Sequence, residues 1–160
     1  MSKHADKKTN AMRELDRVKQ PYEAHWFDCP EAMSGVEVAH MLGEDPDRVF
    51  KTLVTVGKSG DHYVFMIPVA LELDLKKAAI VVGEKAIAMV KSKELLGLTG
   101  YVHGGCSPLG MKKFFTTTID ESACLYEKIF FSGGRIGCQI ETSLESLRAA
   151  IPVGEADLTV

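Results

Sequence analysis

Apolar and polar positions along this chain switch between a helical and a strand period. Ala11, Leu15 and Val18 recur at helical spacing from Asn10 to Lys19, and Pro21 stops the run. Tyr22 to Phe27 reads as a short strand. Ser34 with Glu37 forms a capping box, in which each side chain satisfies a free backbone N–H at a helix start. That helix ends near Gly43, and Asp45-Pro46-Asp47 makes the turn. Phe50 to Val56 and His62 to Val69 are rich in β-branched and aromatic residues, and Gly57 to Asp61 connects them as a hairpin. Leu75, Ala78, Ala79 and Val82 then give one helical face, with Gly83 as the stop. Ala86 to Val90 predicts a strand and Lys91 to Leu98 a short helix. Further strands follow at Phe114 to Ile119, Tyr126 to Phe131 and Ile136 to Ile140. Thr142 with Glu145 reads as a second capping box, opening a last helix that runs to Ala150.

Strands and helices are interspersed without a strict βαβ rhythm. This predicts a single α+β domain, a curved mixed sheet with helices against it, rather than a doubly wound nucleotide fold. The domain is expected to span residues 9–160, with residues 1–8 as a frayed tail. A hydrophobic fraction of 46% argues for a packed core and against disorder. No apolar run approaches the roughly 18 residues of a membrane span, so no membrane association is expected. Met1 to Asn10 is polar and lysine-rich, unlike a secretory signal, which points to the cytoplasm.

Charge and cysteines narrow the chemistry. The net charge is −3, so no general electrostatic grip on nucleic acid, DNA included, is expected, and any RNA contact needs a local basic patch. Cys29, Cys106, Cys124 and Cys138 form no C-x-x-C pair, and His4, His25, His40 and His62 are scattered. No metal site is expected, and reduced thiols are.

The segment from Gly100 to Lys113 holds four glycines and a proline between two regular elements. Glycine lets backbone N–H groups approach a ligand closely, and successive free N–H groups can cradle an anion or oxyanion. An irregular connecting loop explains the composition equally well. Ser132-Gly133-Gly134-Arg135-Ile136-Gly137 is a second glycine cluster, either a tight hairpin turn or, through Arg135, a phosphate or carboxylate contact. Lys51 interrupts an apolar strand start, as an edge-strand lysine or as a pocket cation. Lys76 and Lys77, in the first turn of their helix after Asp74, join Lys112, Lys113 and Arg135 as candidates for a basic rim. Cys106 near His103 raises a cysteine-nucleophile reading, but spacing in a loop establishes no contact, and small cysteines are mostly packing residues.

Five segments, in this order, resemble the YbaK/EbsC family of aminoacyl-tRNA deacylases, related to the editing domain of bacterial prolyl-tRNA synthetases. They are Val49 to Leu53, Leu73 to Lys77, Thr99 to Lys113, Ile119 to Ser122, and Ser132 to Gly137. The resemblance extends from about Thr9 to Ile151. It implies a twisted, partly barrel-like mixed sheet with flanking helices, and hydrolysis of the ester joining an amino acid to the terminal ribose of tRNA. Cys-tRNA(Pro) is the typical substrate, with Cys-tRNA(Cys) beside it. The implied partners are aminoacyl-tRNA and, as a further candidate, prolyl-tRNA synthetase; no metal or organic cofactor is implied. The family's essential lysine matches Lys51, and the following threonine matches Thr52. The glycine loop matches Gly104, Gly105, Ser107, Pro108 and Gly110, with the two adjacent glycines as oxyanion donors. Phe27, Ser132, Gly133, Gly134, Arg135 and Gln139 fall at aminoacyl-binding positions. Some family members carry a tyrosine where Phe27 stands and an aspartate where Gln139 stands, departures that bear on amino-acid preference. Cys106 falls at a position that is typically aliphatic. Three rival readings remain: a binding module for aminoacyl-tRNA or a synthetase, a deacylase for another small amino acid, and a cysteine hydrolase of small substrates.

Overall fold

The computed structural model describes residues 7–29, 31 and 33–160. Residues 1–6, which include His4 and most of the expected tail, lie outside the described residues. Helix α1 (Asn10–Arg17) is capped by Thr9, whose side chain accepts from Met12 N. Its buried face is Ala11, Met12 and Leu15 rather than the Ala11, Leu15 and Val18 of the sequence pattern. Strand β1 (Glu23–Trp26) leads to α2 (Gly35–Leu42), where the Ser34–Glu37 capping box forms and Gly43 closes the helix in the left-handed region. A 3₁₀ turn (Pro46–Arg48) feeds β2 (Phe50–Gly57), which turns back into β3 (His62–Pro68). Then come α3 (Leu75–Val82), β4 (Ile87–Met89), α4 (Ser92–Thr99) and β5 (Thr116–Asp120). A 3₁₀ turn (Glu121–Leu125), β6 (Ile129–Ser132), β7 (Cys138–Thr142), α5 (Leu144–Ala150) and β8 (Gly154–Ala156) complete the chain.

Two of the sequence expectations change. The strands form two sheets rather than one: an antiparallel sheet in the order β1-β7-β6, and a mixed five-stranded sheet in the order β4-β2-β3-β5-β8. An isolated parallel bridge between Val49 and Phe130 joins them without closing a barrel, so barrel character is limited to that junction. The cap of α5 is Ser143, which accepts from Ser146 N, and not Thr142 with Glu145. Thr142 ends β7, and its hydroxyl donates to the Pro21 carbonyl. A side chain engaged across the sheet is no longer free to cap a helix.

The core explains the near-continuous apolar run of β3. Phe65 and Ile67 pack with Ala78 and Ala79 of α3 on one face. Met66 faces the other way, into a cluster with Leu15 of α1, Leu147 of α5 and Ile140 of β7. A strand buried on both faces loses the alternation of a half-exposed one. Among the described residues, no helix is long and apolar enough to cross a membrane.

Candidate functional site

The main cleft is a consequence of how β2 is shared. Thr55–Gly57 pair with β4 on one side, while Val49 bridges to β6 of the other sheet. Between these points, residues 51–53 have β3 on one edge and no strand on the other among the described residues. The cleft of about 410 Å³ fills this gap, a size in the range of small-ligand sites. Lys51 and Thr52 form its wall together with the first turn of α2, the start of α4, loop residues His103, Gly104 and Cys106, and the pair Ser132 and Gln139. Ser132 and Gln139 are direct neighbours across β6 and β7.

The polar groups of this cleft are underused. The Lys51 ammonium has no hydrogen bond or ion pair among the described residues. Burial pushes its ammonium pKa below the ordinary lysine value, and the negative charge of Glu72 partly offsets this. The buried Thr52 Oγ1 and Gln139 Oε1 have no hydrogen-bond partner among the described residues. Buried polar atoms are nearly always paired in folded proteins, so two of the three orphans among the described residues belonging to one cleft single it out as the candidate ligand site. Lys51, Thr52 and Gln139 thus line the same cleft as Gly104, a glycine at φ +87°.

The glycine loops do meet. A Cβ on Gly105 would lie 3.0 Å from Ile136 N and 3.1 Å from Arg135 C, a contact tighter than most side chains make. This contact occupies Gly105 structurally, and its N–H already donates to the Val102 carbonyl at 3.0 Å. Gly105 is therefore not a free oxyanion donor. Gly104 and Cys106 line the cleft, and their backbone N–H groups have no acceptor among the described residues.

Other sequence candidates sit outside the lining. Ser107, Pro108 and Leu109 turn into the core, Ser107 Oγ accepting from Leu109 N. Gly110 packs under Tyr101 and Asn10. Phe27 continues β1, its N–H donating to the Gly137 carbonyl. Gly133 is held against Cys138, Gly134 against Tyr101, and Arg135 is exposed beyond them. Lys76, Lys112 and Lys113 are exposed. Lys77 is committed elsewhere: its ammonium pairs with Asp157 at 2.9 Å and donates to the Thr159 carbonyl at 2.7 Å.

Sequence reasoning missed the first turn of α2 and the contribution of Met89 and Leu95. One signal was available. Gly35 directly follows the cap, and a Cβ there would lie 2.4 Å from Val69 Cγ1, so the glycine marks where helix and strand close on each other. Glu23, His25 and Glu141 bring one ligand-type atom each to within 4.8 Å of one another, away from the cleft. His25 there bonds Glu141 at 2.9 Å, and Arg48 stands 3.8 Å from the same carboxylate, so the trio reads as a cross-strand ion network.

Cys106 is buried among Val54, Val64, Leu95 and Tyr101, and this burial pushes its thiol up to about 12. A thiol with that pKa is protonated at neutral pH and is not a nucleophile. Cys106→Ala should therefore keep kcat/KM within about threefold of the parent. Alkylation near pH 8, followed by mass spectrometry, should modify the exposed Cys124 first. Loss of turnover in Cys106→Ala with the fold intact would restore the cysteine reading.

Comparison with known proteins supplies the context. The family model of the aminoacyl-tRNA editing domain matches residues 29–150. An Enterococcus faecalis protein, provisionally named Cys-tRNA(Pro)/Cys-tRNA(Cys) deacylase EbsC, is 45% identical over 146 residues, covering 91% of this chain and 89% of that one. A proline–tRNA ligase of Pelobacter propionicus is 31% identical over 91 residues, which make up 57% of this chain and 16% of the ligase. A crystal structure provisionally described as a trans-editing enzyme for prolyl tRNA synthetase matches with a TM-score of 0.81 at 23% identity, covering 96% of this chain and 99% of that one. The crystal structure of a hypothetical protein matches with a TM-score of 0.86 at 21% identity, over 95% and 100% of the two chains. At these identities the two structures establish the fold.

Proposed function

Because the chain belongs to the aminoacyl-tRNA editing domain family, we propose that it is a hydrolase that releases a wrongly attached amino acid from tRNA, acting in trans on Cys-tRNA(Pro) and secondarily on Cys-tRNA(Cys). The observation that carries the proposal is the cleft at the open edge of β2, whose lining includes Lys51 with an unpaired ammonium, Thr52 and Gln139 with orphaned side-chain oxygens, and Gly104 and Cys106, whose N–H groups meet no acceptor among the described residues. An aminoacyl ester brings what these groups lack. Its carbonyl oxygen accepts from backbone N–H groups as negative charge develops, and its α-ammonium donates to the Gln139 carbonyl. Lys51 supplies a positive charge to the reacting ester or to the adjoining phosphate.

No cleft side chain is an activated nucleophile. The attacking group is water or, for a cysteinyl ester, the substrate's own thiol. In either case a bond forms to the carbonyl carbon, the bond from that carbon to the ribose oxygen breaks, and the attacker's proton ends on the ribose oxygen. The protein contributes by holding the ester and stabilising the oxyanion. Gln139 in place of the aspartate leaves the amide neutral, which suits a small uncharged side chain as well as cysteine. The identity to a proline–tRNA ligase supports prolyl-tRNA synthetase as the partner that delivers tRNA(Pro), in which case adding the synthetase should lower KM.

Incubating substoichiometric protein with Cys-, Ala- and Ser-charged tRNA(Pro) tests the reading. Release of many amino acids per protein, fastest for cysteine, is expected. An ester protected from spontaneous hydrolysis would instead identify a binding module, and faster release of alanine or serine would move the substrate assignment.

A further inference from the structure

A second cavity lies behind the glycine loop. This open groove of about 490 Å³ is lined by Asn10, Arg13 and Glu14 of α1, by Thr99 to Tyr101 at the end of α4, and by Gly110 to Lys112. One stretch of chain separates it from the main cleft: Tyr101 lines the groove, His103 the cleft, and two residues span at most ~7 Å. The groove is rigidly built. Gly110 sits so close to α1 that a Cβ there would lie 2.9 Å from Asn10 C, and the Tyr101 hydroxyl donates to the Leu109 carbonyl. Two cations from distant parts of the chain enter it, Arg13 and Lys112, and neither forms an ion pair among the described residues. The stem of Lys112 lies over Gly100, where a Cβ would stand 3.2 Å from its Cγ, which fixes the base of the side chain.

The groove's negative features are already answered. Glu14 is paired with Arg17 at 2.6 Å, and the Thr99 carbonyl at the negative end of α4 accepts from Lys112 N. What remains is a concave surface with two positive charges that no carboxylate pairs among the described residues, Arg13 donating only to Asn10 Oδ1 at 3.4 Å, on a chain whose net charge is −3. Such a local patch suits a polyanion arriving from one direction.

We propose that this groove binds phosphates of the tRNA acceptor end just inward of the ester held in the main cleft, with Arg13 and Lys112 as the cations that meet them. The proposal rests on the deacylase reading and assigns the strand's path: the terminal nucleoside in the cleft, the chain passing over the 101–104 turn, and the backbone behind it. It also concentrates the expected basic rim on Lys112 and Arg13, away from Lys77.

The test compares Arg13→Gln/Lys112→Gln with the charge-matched control Lys58→Gln/Lys85→Gln, on whole Cys-tRNA(Pro) and on cysteinyl-adenosine, which has no phosphate. With whole tRNA, the groove variant should raise KM roughly tenfold at low salt with little change in kcat. Its salt dependence should be shallower by about 0.7 per lost phosphate contact. The loss on whole tRNA should exceed the loss on cysteinyl-adenosine by about the same tenfold, and the control should show neither effect. Equal losses on both substrates, or an unchanged KM and salt slope, would overturn the groove. Binding of uncharged tRNA(Pro), followed by fluorescence anisotropy, reads the groove without hydrolysis. If the parent releases no amino acid, the deacylase reading fails, and the groove is still judged by whether the variant weakens this binding.

Discussion

Lys51→Met should lower the rate of cysteine release at least about a hundredfold and leave the melting temperature unchanged or slightly raised. The methionine keeps the stem that packs along β2 and removes only the charge. A charge that has lost part of its hydration and found no partner is a cost to the fold, so its removal does not harm stability. The same charge, on a residue that lines one cleft with Gly104 and Cys106, is what the developing negative charge of the proposed reaction needs. Lys51→Arg should also fail to restore the rate, since the forked guanidinium is broader than an ammonium. The pH dependence follows from the direction of the shift. Burial depresses the pKa, so the active ammonium is lost as pH rises through a value below the ordinary 10.5. The alkaline limb of kcat/KM, corrected for spontaneous ester hydrolysis, should fall there, and Lys51→Met should lack it. For stability the sign is opposite. The unfolded chain holds the proton more tightly, so this group's contribution rises between the folded pKa and 10.5. Near-normal release by a folded Lys51→Met protein would remove Lys51 from the mechanism.

The residues that could be read from the sequence are those whose role is local. The Ser34–Glu37 box and the glycine stops at Gly43 and Gly83 depend on neighbours within a turn, and all three stand as expected. The Thr142–Glu145 box failed because a long-range partner, the Pro21 carbonyl, takes the threonine hydroxyl. Strand β8 is three residues long and pairs in parallel with a strand far away in the chain, so no local pattern could announce it. The division into two sheets has the same origin. At the site, Lys51, Thr52 and Gly104 were visible as a motif, and the structure brings them to one cleft with Ser132 and Gln139. The cleft itself was not visible, because it is the gap left where β2 is handed from one sheet to the other. Gly105 and Gly110 stood out as loop glycines, but the loop's composition does not say which N–H is free. Gly105 serves packing against the second loop, and Gly110 serves the joint between loop and helix.

That joint gives Gly110→Ala a large expected cost in stability. Gly110 has φ +77°, a conformation an L side chain enters at a cost of roughly 1–2 kcal/mol. The added Cβ would also stand 2.7 Å from the Tyr101 hydroxyl and 2.9 Å from Asn10 C. Tyr101 is buried and its hydroxyl is engaged with the Leu109 carbonyl, while Asn10 is backbone in the first turn of α1. Neither can retreat without opening the helix start or stranding a buried hydroxyl. The total loss should reach about 3–4 kcal/mol, lowering the melting temperature by roughly 6–16 °C for a chain of this size. Gly43→Ala provides the internal reference. It shares the strained backbone, at φ +68°, but its Cβ would meet nothing within 4 Å, so it should lose only the conformational part. Denaturant unfolding of the two variants side by side separates strain from overlap. The contact argument requires Gly110→Ala to be the less stable by about 2 kcal/mol. It also requires the damage to spread to the groove, so that at a temperature where the variant is still folded its KM for whole tRNA rises more than its KM for cysteinyl-adenosine. Equal losses in the two alanine variants would mean that loop and helix are free to part, and that the joint beneath the glycine loop does not hold the groove in shape.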